Sequence, residues 1–87
     1  MIRSENFILR DVAGSHVVVP VGTAVDDFSG MITLNDAGVY LWNALETEQT
    51  IASLGAVLTQ QYEVSEEQAQ ADAEKFVQKL QSVGAVK

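Results

Sequence analysis

Residues 30–42, GMITLNDAGVYLW, pass from a short β-like run directly into an amphipathic helix. The apolar run Met31–Leu34 predicts a short strand. Asn35 follows the strand as a good helix N-cap, and Asp36 beside it suits the positive end of a helix dipole. The spacing predicts a helix that ends near residue 45 with a broad apolar face. That face contains Leu41, Trp42 and Leu45.

Two further β-rich runs precede this segment. Phe7–Val12 and His16–Pro20 are separated by the turn signal Ala13-Gly14-Ser15, so we expect an antiparallel hairpin. Pro20 cannot donate a hydrogen bond to a ladder and should end the second strand. Residues 21–30 are rich in turn-forming residues and predict a loop.

A second helix is predicted from the N-cap Thr50 to Tyr62. Gly55 lies in its middle, where glycine costs about 1 kcal/mol relative to alanine, and this indicates close packing there. The expected inner face of this helix consists of Ile51, Leu54, Val57 and Leu58.

A third helix is predicted to follow. Ser65-Glu-Glu-Gln68 matches a capping box, and the helix should run to Val83, with Gly84 as its stop. Its apolar stripe is predicted to contain Ala69, Ala73, Phe76, Leu80 and Val83. The sequence therefore predicts one α+β domain over residues 1–87, with three N-terminal antiparallel strands followed by three helices.

Composition limits the function. The chain has 87 residues, 47% of them apolar, which suits a single domain with a modest core. It contains no cysteine, which excludes disulfides and thiolate chemistry and fits a cytoplasmic protein. A net charge of −7 disfavours binding to nucleic-acid phosphates. No signal peptide or membrane-spanning run is recognisable, so we expect no membrane contact.

Candidate chemical groups are sparse. His16 is the one histidine and has no companions at metal-ligand spacing, so we expect neither a metal site nor a cofactor. Asp26-Asp27 lacks the alternating donors of a calcium loop and predicts a solvated turn. Ser53 invites comparison with the modified serine of a carrier protein, but Ala52 stands where such proteins have an aspartate. We therefore expect a protein without catalytic residues.

An ordered set of motifs resembles the PqqD-like family, named after a protein of pyrroloquinoline quinone biosynthesis. The set covers nearly the whole chain and consists of Leu9–Gly14, Val18–Gly22, Ile32–Asn35, Gly38, Leu41-Trp42, Tyr62–Val64, Asp72, Phe76, Leu80 and Gly84. The resemblance implies a winged helix-turn-helix-like fold. It also implies a peptide chaperone, or recognition element, that binds the leader of a ribosomally made precursor peptide. The partner it implies is a modifying enzyme, often a radical S-adenosylmethionine protein.

The implied binding mode is addition of the leader peptide as an extra strand beside the third strand. The backbone edge implicated by this mode consists of Met31, Ile32, Thr33 and Leu34. The side chains expected to border the groove lie on the third helix and are Asp72, Lys75, Phe76 and Lys79. These helix charges can equally form a simple solvated face. The same open edge can pair with a second copy of the chain, giving a homodimer.

Three other functions remain open on the sequence. The chain could dock a folded protein instead of a peptide. It could be a winged-helix regulatory protein, although two lysines against four acidic residues on the third helix disfavour DNA binding. It could also be a carrier protein modified at Ser53.

Overall fold

The computed structural model describes residues 1–22 and 30–87 and has the predicted order of elements. The strands are β1 (Phe7–Val12), β2 (Ser15–Pro20) and β3 (Ile32–Leu34), and the helices are α1 (Asp36–Ala44), α2 (Ile51–Gln61) and α3 (Glu66–Ser82). The sequence pattern predicts Met31 as part of the third strand, but in the structure it lies just before β3. Most of the predicted loop, including Asp26-Asp27, lies outside the described residues.

The sheet is antiparallel with the order β1-β2-β3. Val12 faces Ser15 at the end of the predicted hairpin, so its loop consists of Ala13 and Gly14 alone. Their φ angles of 51° and 82° are both positive, as a tight turn matching the strand twist requires. The ladder between β2 and β3 leaves the outer edge of β3 without a neighbouring strand among the described residues.

The core lies between the sheet and the three helices. In β3, Ile32 and Leu34 are buried while Thr33 between them is exposed, which is the alternation of a half-buried strand. Trp42, at 1% exposure, is confirmed as a core residue. The other buried residues of this cluster include Phe7, Val18, Leu41, Leu45, Leu54, Leu58 and Leu80.

The buried stripe of α3 differs from the predicted one at two positions. Ala69, Ala73, Val77 and Leu80 are buried, whereas Phe76 and Val83 are only partly buried. A step of four residues from Ala73 leads to Val77, and a step of three leads to Phe76. Both steps remain on one broad helix face, and the packing of α3 turns the Val77 side inward.

Gly55 allows α2 and α3 to approach closely, as the sequence analysis predicted. A Cβ atom at Gly55 would lie 2.9 Å from Cγ of Gln70 and 3.4 Å from its backbone nitrogen. The missing side chain therefore offsets the low helix propensity of glycine by permitting this contact.

The helix ends confirm most of the predicted caps. Ser65 Oγ accepts a hydrogen bond from the Gln68 backbone N–H at 3.1 Å, but the Gln68 side chain donates to Asp72 Oδ1 at 2.8 Å, so only half of the predicted capping box forms. A reciprocal capping box occurs instead between Thr50 and Ser53. Gly84, with φ of 77°, ends α3 as predicted.

The two ends of the chain pair with each other, which the sequence analysis did not predict. Arg3 and Val86 form an antiparallel bridge, and the Ile2 and Lys87 backbones exchange hydrogen bonds of 3.2 and 2.8 Å. The Arg3 guanidinium lies 5.6 Å from the centre of the Trp42 ring. These contacts cover the core beside Trp42.

Among the described residues, no helix is long and apolar enough to cross a membrane.

We expect Leu34→Asp to destabilise the domain by roughly 3 kcal/mol or more, because it buries a charge in the core. Thr33→Asp introduces the same charge at the exposed neighbouring position and should change the free energy of unfolding by about 1 kcal/mol or less. Urea denaturation followed by Trp42 fluorescence measures both. Equal losses for the two variants would show that Leu34 is not a core residue.

Candidate functional site: a groove that follows strand β3

A groove of about 640 Å³ opens where β3 runs into α1. Its volume falls within the range of small-molecule and cofactor pockets in proteins. Three parts of the chain line it. The α1 start contributes Asn35, Asp36, Ala37, Gly38 and Leu41; the end of α2 and the segment after it contribute Leu58, Tyr62 and Val64; and α3 contributes Asp72, Lys75 and Phe76.

Gly38 is the point where β3, α1 and α3 converge. A Cβ atom at this position would lie 3.2 Å from Leu34 Cβ and 3.2 Å from Phe76 Cε1. These distances are shorter than most contacts of a real Cβ atom, so any other residue here would require Leu34 or Phe76 to shift by a few tenths of an ångström. The groove therefore begins directly beside the end of β3.

The first turn of α1 is fixed by its cap. Asn35 Oδ1 accepts a hydrogen bond from the Gly38 backbone N–H at 2.8 Å, which confirms Asn35 as the N-cap. Asp36 projects into solvent with 86% of its side chain exposed, and its Oδ1 lies 4.0 Å from His16 Nε2. The other ring nitrogen of His16 lies 2.6 Å from Asp11 Oδ1. His16 thus contacts two carboxylates, and the described residues contain no cluster of three or more metal-binding side chains.

Tyr62, which lines the groove, packs against a second tyrosine. The rings of Tyr40 and Tyr62 pack edge to face, with centroids 6.0 Å apart and an interplanar angle of 82°. Partial desolvation raises the pKa of Tyr62 above its usual value of 10.0, and the neighbouring Tyr40 and the negative charge of Asp36 raise it further. Asp36 is therefore the smallest of three contributions to the raised pKa of Tyr62.

The structure brings together some of the residues that the sequence analysis proposed for peptide binding. Asp72, Lys75 and Phe76 share the lining of the groove. Lys79 is exposed one turn further along α3 and does not line it. The predicted strand residues Met31–Leu34 lie outside the lining: Met31 and Thr33 are exposed, while the side chains of Ile32 and Leu34 point into the core.

The sequence did not predict the groove residues of α1 or those at the end of α2 and just after it. Tyr62 and Val64 are apolar residues that remain 37% and 38% exposed, and an exposed apolar residue has no local sequence signature. Asp36 had been assigned only a role at the helix N-terminus. A partial signal existed in the four-residue spacing of Leu58 and Tyr62, which places both on one side of α2.

Ser53, the residue considered for a carrier protein, has a structural role. Its Oγ accepts from the Thr50 backbone N–H at 2.8 Å and lies 2.7 Å from Gln49 Oε1, to which it donates. Both interactions belong to the first turn of α2. The serine hydroxyl therefore acts in helix capping.

The fold defines a class of small α+β domains in which a three-stranded antiparallel sheet precedes three helices. The same fold occurs in the solved structure of TbiB1 in complex with the TbiA(beta) leader peptide, with a TM-score of 0.77 and 16% sequence identity. The alignment covers 100% of this chain and 95% of that chain. The predicted fold class is thereby confirmed.

The chain belongs to the PqqD family. The family model described as coenzyme PQQ synthesis protein D matches residues 15–86, from the start of β2 to the pairing of the chain ends. No curated protein sequence matches the chain significantly. The resemblance that rested on scattered motifs is confirmed over most of the domain.

We expect Gly38→Ala to destabilise the domain by about 1–3 kcal/mol, because the added methyl group must displace Leu34 or Phe76. At an ordinary helix position the same change would stabilise the protein by up to about 1 kcal/mol. Thermal unfolding gives the sign of the effect, and the Phe76 ring resonances report any displacement. A more stable Gly38→Ala protein would contradict the close approach at this position.

The raised pKa of Tyr62 predicts a response to removal of the nearby charge. In the Asp36→Asn variant the phenolate of Tyr62 is no longer opposed by a carboxylate, so its pKa should fall towards 10.0. Phenolate absorbance measured against pH follows the ionisation of both tyrosines. The Tyr62→Phe variant shows which part of that absorbance change belongs to Tyr62. An unchanged pKa in Asp36→Asn would place Asp36 too far away to act on Tyr62.

Proposed function

We propose that this protein is a non-catalytic recognition element that binds the leader segment of a ribosomally made precursor peptide and presents it to a modifying enzyme. The observation that carries the proposal is the outer edge of β3, which has no neighbouring strand within residues 1–22 and 30–87 and leads directly into the groove. Membership of the PqqD family supports it. The fold is also shared with TbiB1, whose structure contains a leader peptide.

The outer edge of β3 supplies the backbone part of the site. An edge strand carries N–H and C=O groups that can pair with an added strand. Within Met31–Leu34, the alternate residues whose N–H and C=O groups point away from β2 would contribute these groups whatever the leader sequence is. Because Ile32 and Leu34 anchor the strand in the core, its edge is held ready before the peptide arrives, and less ordering entropy is lost on binding.

The groove supplies the side-chain part of the site. A strand of three residues offers few backbone hydrogen bonds, so affinity must come largely from side chains that leave water. Phe76 provides apolar surface, and Asp72 and Lys75 can pair with charges of the leader. Lys79 would act only on a peptide that extends along α3 beyond the groove.

Charge favours a peptide over a nucleic acid as the occupant. Helix α3 carries four acidic residues against two lysines, and the whole chain has a net charge of −7. Such a helix repels a phosphate backbone.

In the proposed function, a cytoplasmic modifying enzyme, such as a radical S-adenosylmethionine protein, supplies the chemistry. Pairing of two β3 edges in a homodimer would compete with the leader for the same surface.

The proposed binding mode is tested by an NMR titration of the labelled full chain with the leader of a precursor peptide encoded beside its gene. We expect shifts at residues 31–34 and 72–76, and slower hydrogen exchange for the β3 amides that point away from β2. Binding without slower exchange in β3 would exclude strand addition. If no neighbouring leader binds, while a folded protein does, the docking-domain alternative takes its place.

Substitutions at Thr33 separate backbone from side-chain contributions. Thr33→Pro removes the backbone N–H and should weaken leader binding by about tenfold or more, whereas Thr33→Ala keeps the N–H and reports the side-chain share alone. Isothermal titration calorimetry measures both, after circular dichroism has shown that each variant is folded. Equal affinities of the two folded variants would contradict pairing at Thr33.

A further inference from the structure

One corner of the groove combines a carboxylate with two aromatic rings. Asp36 and Tyr40 lie four residues apart on α1 and therefore on one face of the helix. Tyr62 packs edge to face on Tyr40, and Asp36 and Tyr62 both line the groove. Desolvation, Tyr40 and, least of the three, Asp36 raise the pKa of Tyr62, in keeping with this arrangement.

The carboxylate in this corner has no strong cationic partner within the described residues. Its basic neighbour is His16, at 4.0 Å, and no lysine or arginine of the described part forms a salt bridge with it. The side chain is 86% exposed, so it can receive a ligand without any rearrangement of the core. Tyr62 remains 37% exposed beside it.

We propose that this corner binds a lysine or arginine side chain of the peptide that occupies the groove. The inference rests on the proposed function and adds the chemistry of one residue that the leader must carry. The charged head lies between the Asp36 carboxylate and the Tyr62 ring. The aliphatic stem covers the apolar floor formed by Leu41, Leu58 and Phe76.

The two ends of a basic side chain match this surface. Long cationic side chains place their methylene groups on apolar surface and keep the charge in water. A cation beside a tyrosine ring gains roughly 0.5–1 kcal/mol at an exposed site, and an exposed ion pair gains about as much. Norleucine, which has a similar aliphatic stem without the charge, could contact only the apolar floor of the groove.

The surrounding charge favours a cation over an anion. The groove itself carries Asp36 and Asp72 against Lys75. Glu63, Glu66 and Glu67 lie next to Val64, where the chain enters α3. In a protein with a net charge of −7, this arrangement attracts cationic segments over a distance. Since Asp36 follows directly after β3, the basic residue should lie at one end of the added strand, beyond the residue opposite Leu34.

The test uses a library of random peptides displayed on phage and selected on the immobilised full chain. We expect lysine or arginine to be enriched at one position relative to the unselected library. A selected peptide is then synthesised with its basic residue intact and with norleucine in its place. Its affinity for the wild-type chain should fall about tenfold with norleucine, and the difference should shrink as salt is added.

Matched variants assign the preference to this corner. Asp36→Asn should weaken binding of the basic peptide about threefold and leave the norleucine peptide unaffected. The double variant with Asp36→Asn and Tyr62→Leu should bind the basic peptide about tenfold more weakly than the wild-type chain does. Glu46→Gln removes the same charge at the other end of α1, outside the groove, and should leave both affinities unchanged.

The outcomes separate this proposal from the function on which it rests. Peptides that bind at β3 and the groove without a basic preference would overturn the proposal and leave the peptide-binding function intact. An equal effect of Asp36→Asn and Glu46→Gln would also overturn it, because net charge alone would then explain the preference. If no peptide is selected by the wild-type chain, the proposed function fails as well.

Discussion

The close approach of three elements at Gly38 is the constraint on which the rest of the site depends. Leu34 at the end of β3 and Phe76 in α3 both lie within 3.2 Å of the place where a Cβ atom would stand. A larger residue would require Leu34 or Phe76 to shift by a few tenths of an ångström. The missing side chain at this position therefore helps to keep the end of β3, α1 and α3 close together.

The site combines a rigid edge with an adaptable groove. Burial of Ile32 and Leu34 fixes β3, and the Asn35 cap fixes the direction in which α1 leaves it. The groove, in contrast, is bordered by exposed side chains such as Asp72 and Lys75 that can change rotamer. In the proposed binding mode, backbone pairing would be largely independent of peptide sequence, and discrimination between leaders would come from the groove.

Predictions from local signals were accurate where one dominant interaction acts within a few residues. The hairpin turn is present, although Ser15 belongs to β2 and only Ala13 and Gly14 form the loop, and the Asn35 cap and the Gly84 stop are also present. The predicted capping box failed where one side chain has two possible partners close to it in the chain. The Gln68 side chain can bond either the Ser65 backbone or Asp72, and the structure uses Asp72.

The sequence predicted only one of the borders of the candidate site, the one formed by the third helix. Asp72, Lys75 and Phe76 could be placed on one border because they share a helix face, and the family resemblance indicated that face. Tyr62, Val64 and Asp36 could not be added to them. They belong to separate elements, and no periodicity within one element reports the distance to another.

The amino-acid order alone determined the element types, their sequence along the chain, and the caps and turns between them. These features depend on hydrogen bonds and steric limits within about four residues. Tertiary structure decided that Val77, and not Phe76, completes the buried stripe of α3, and that Phe76 therefore reaches the groove. It also decided that Tyr62 meets Tyr40 beside Asp36. Those contacts depend on how the helices pack around Gly38 and Gly55, and packing is a property of all the surfaces together.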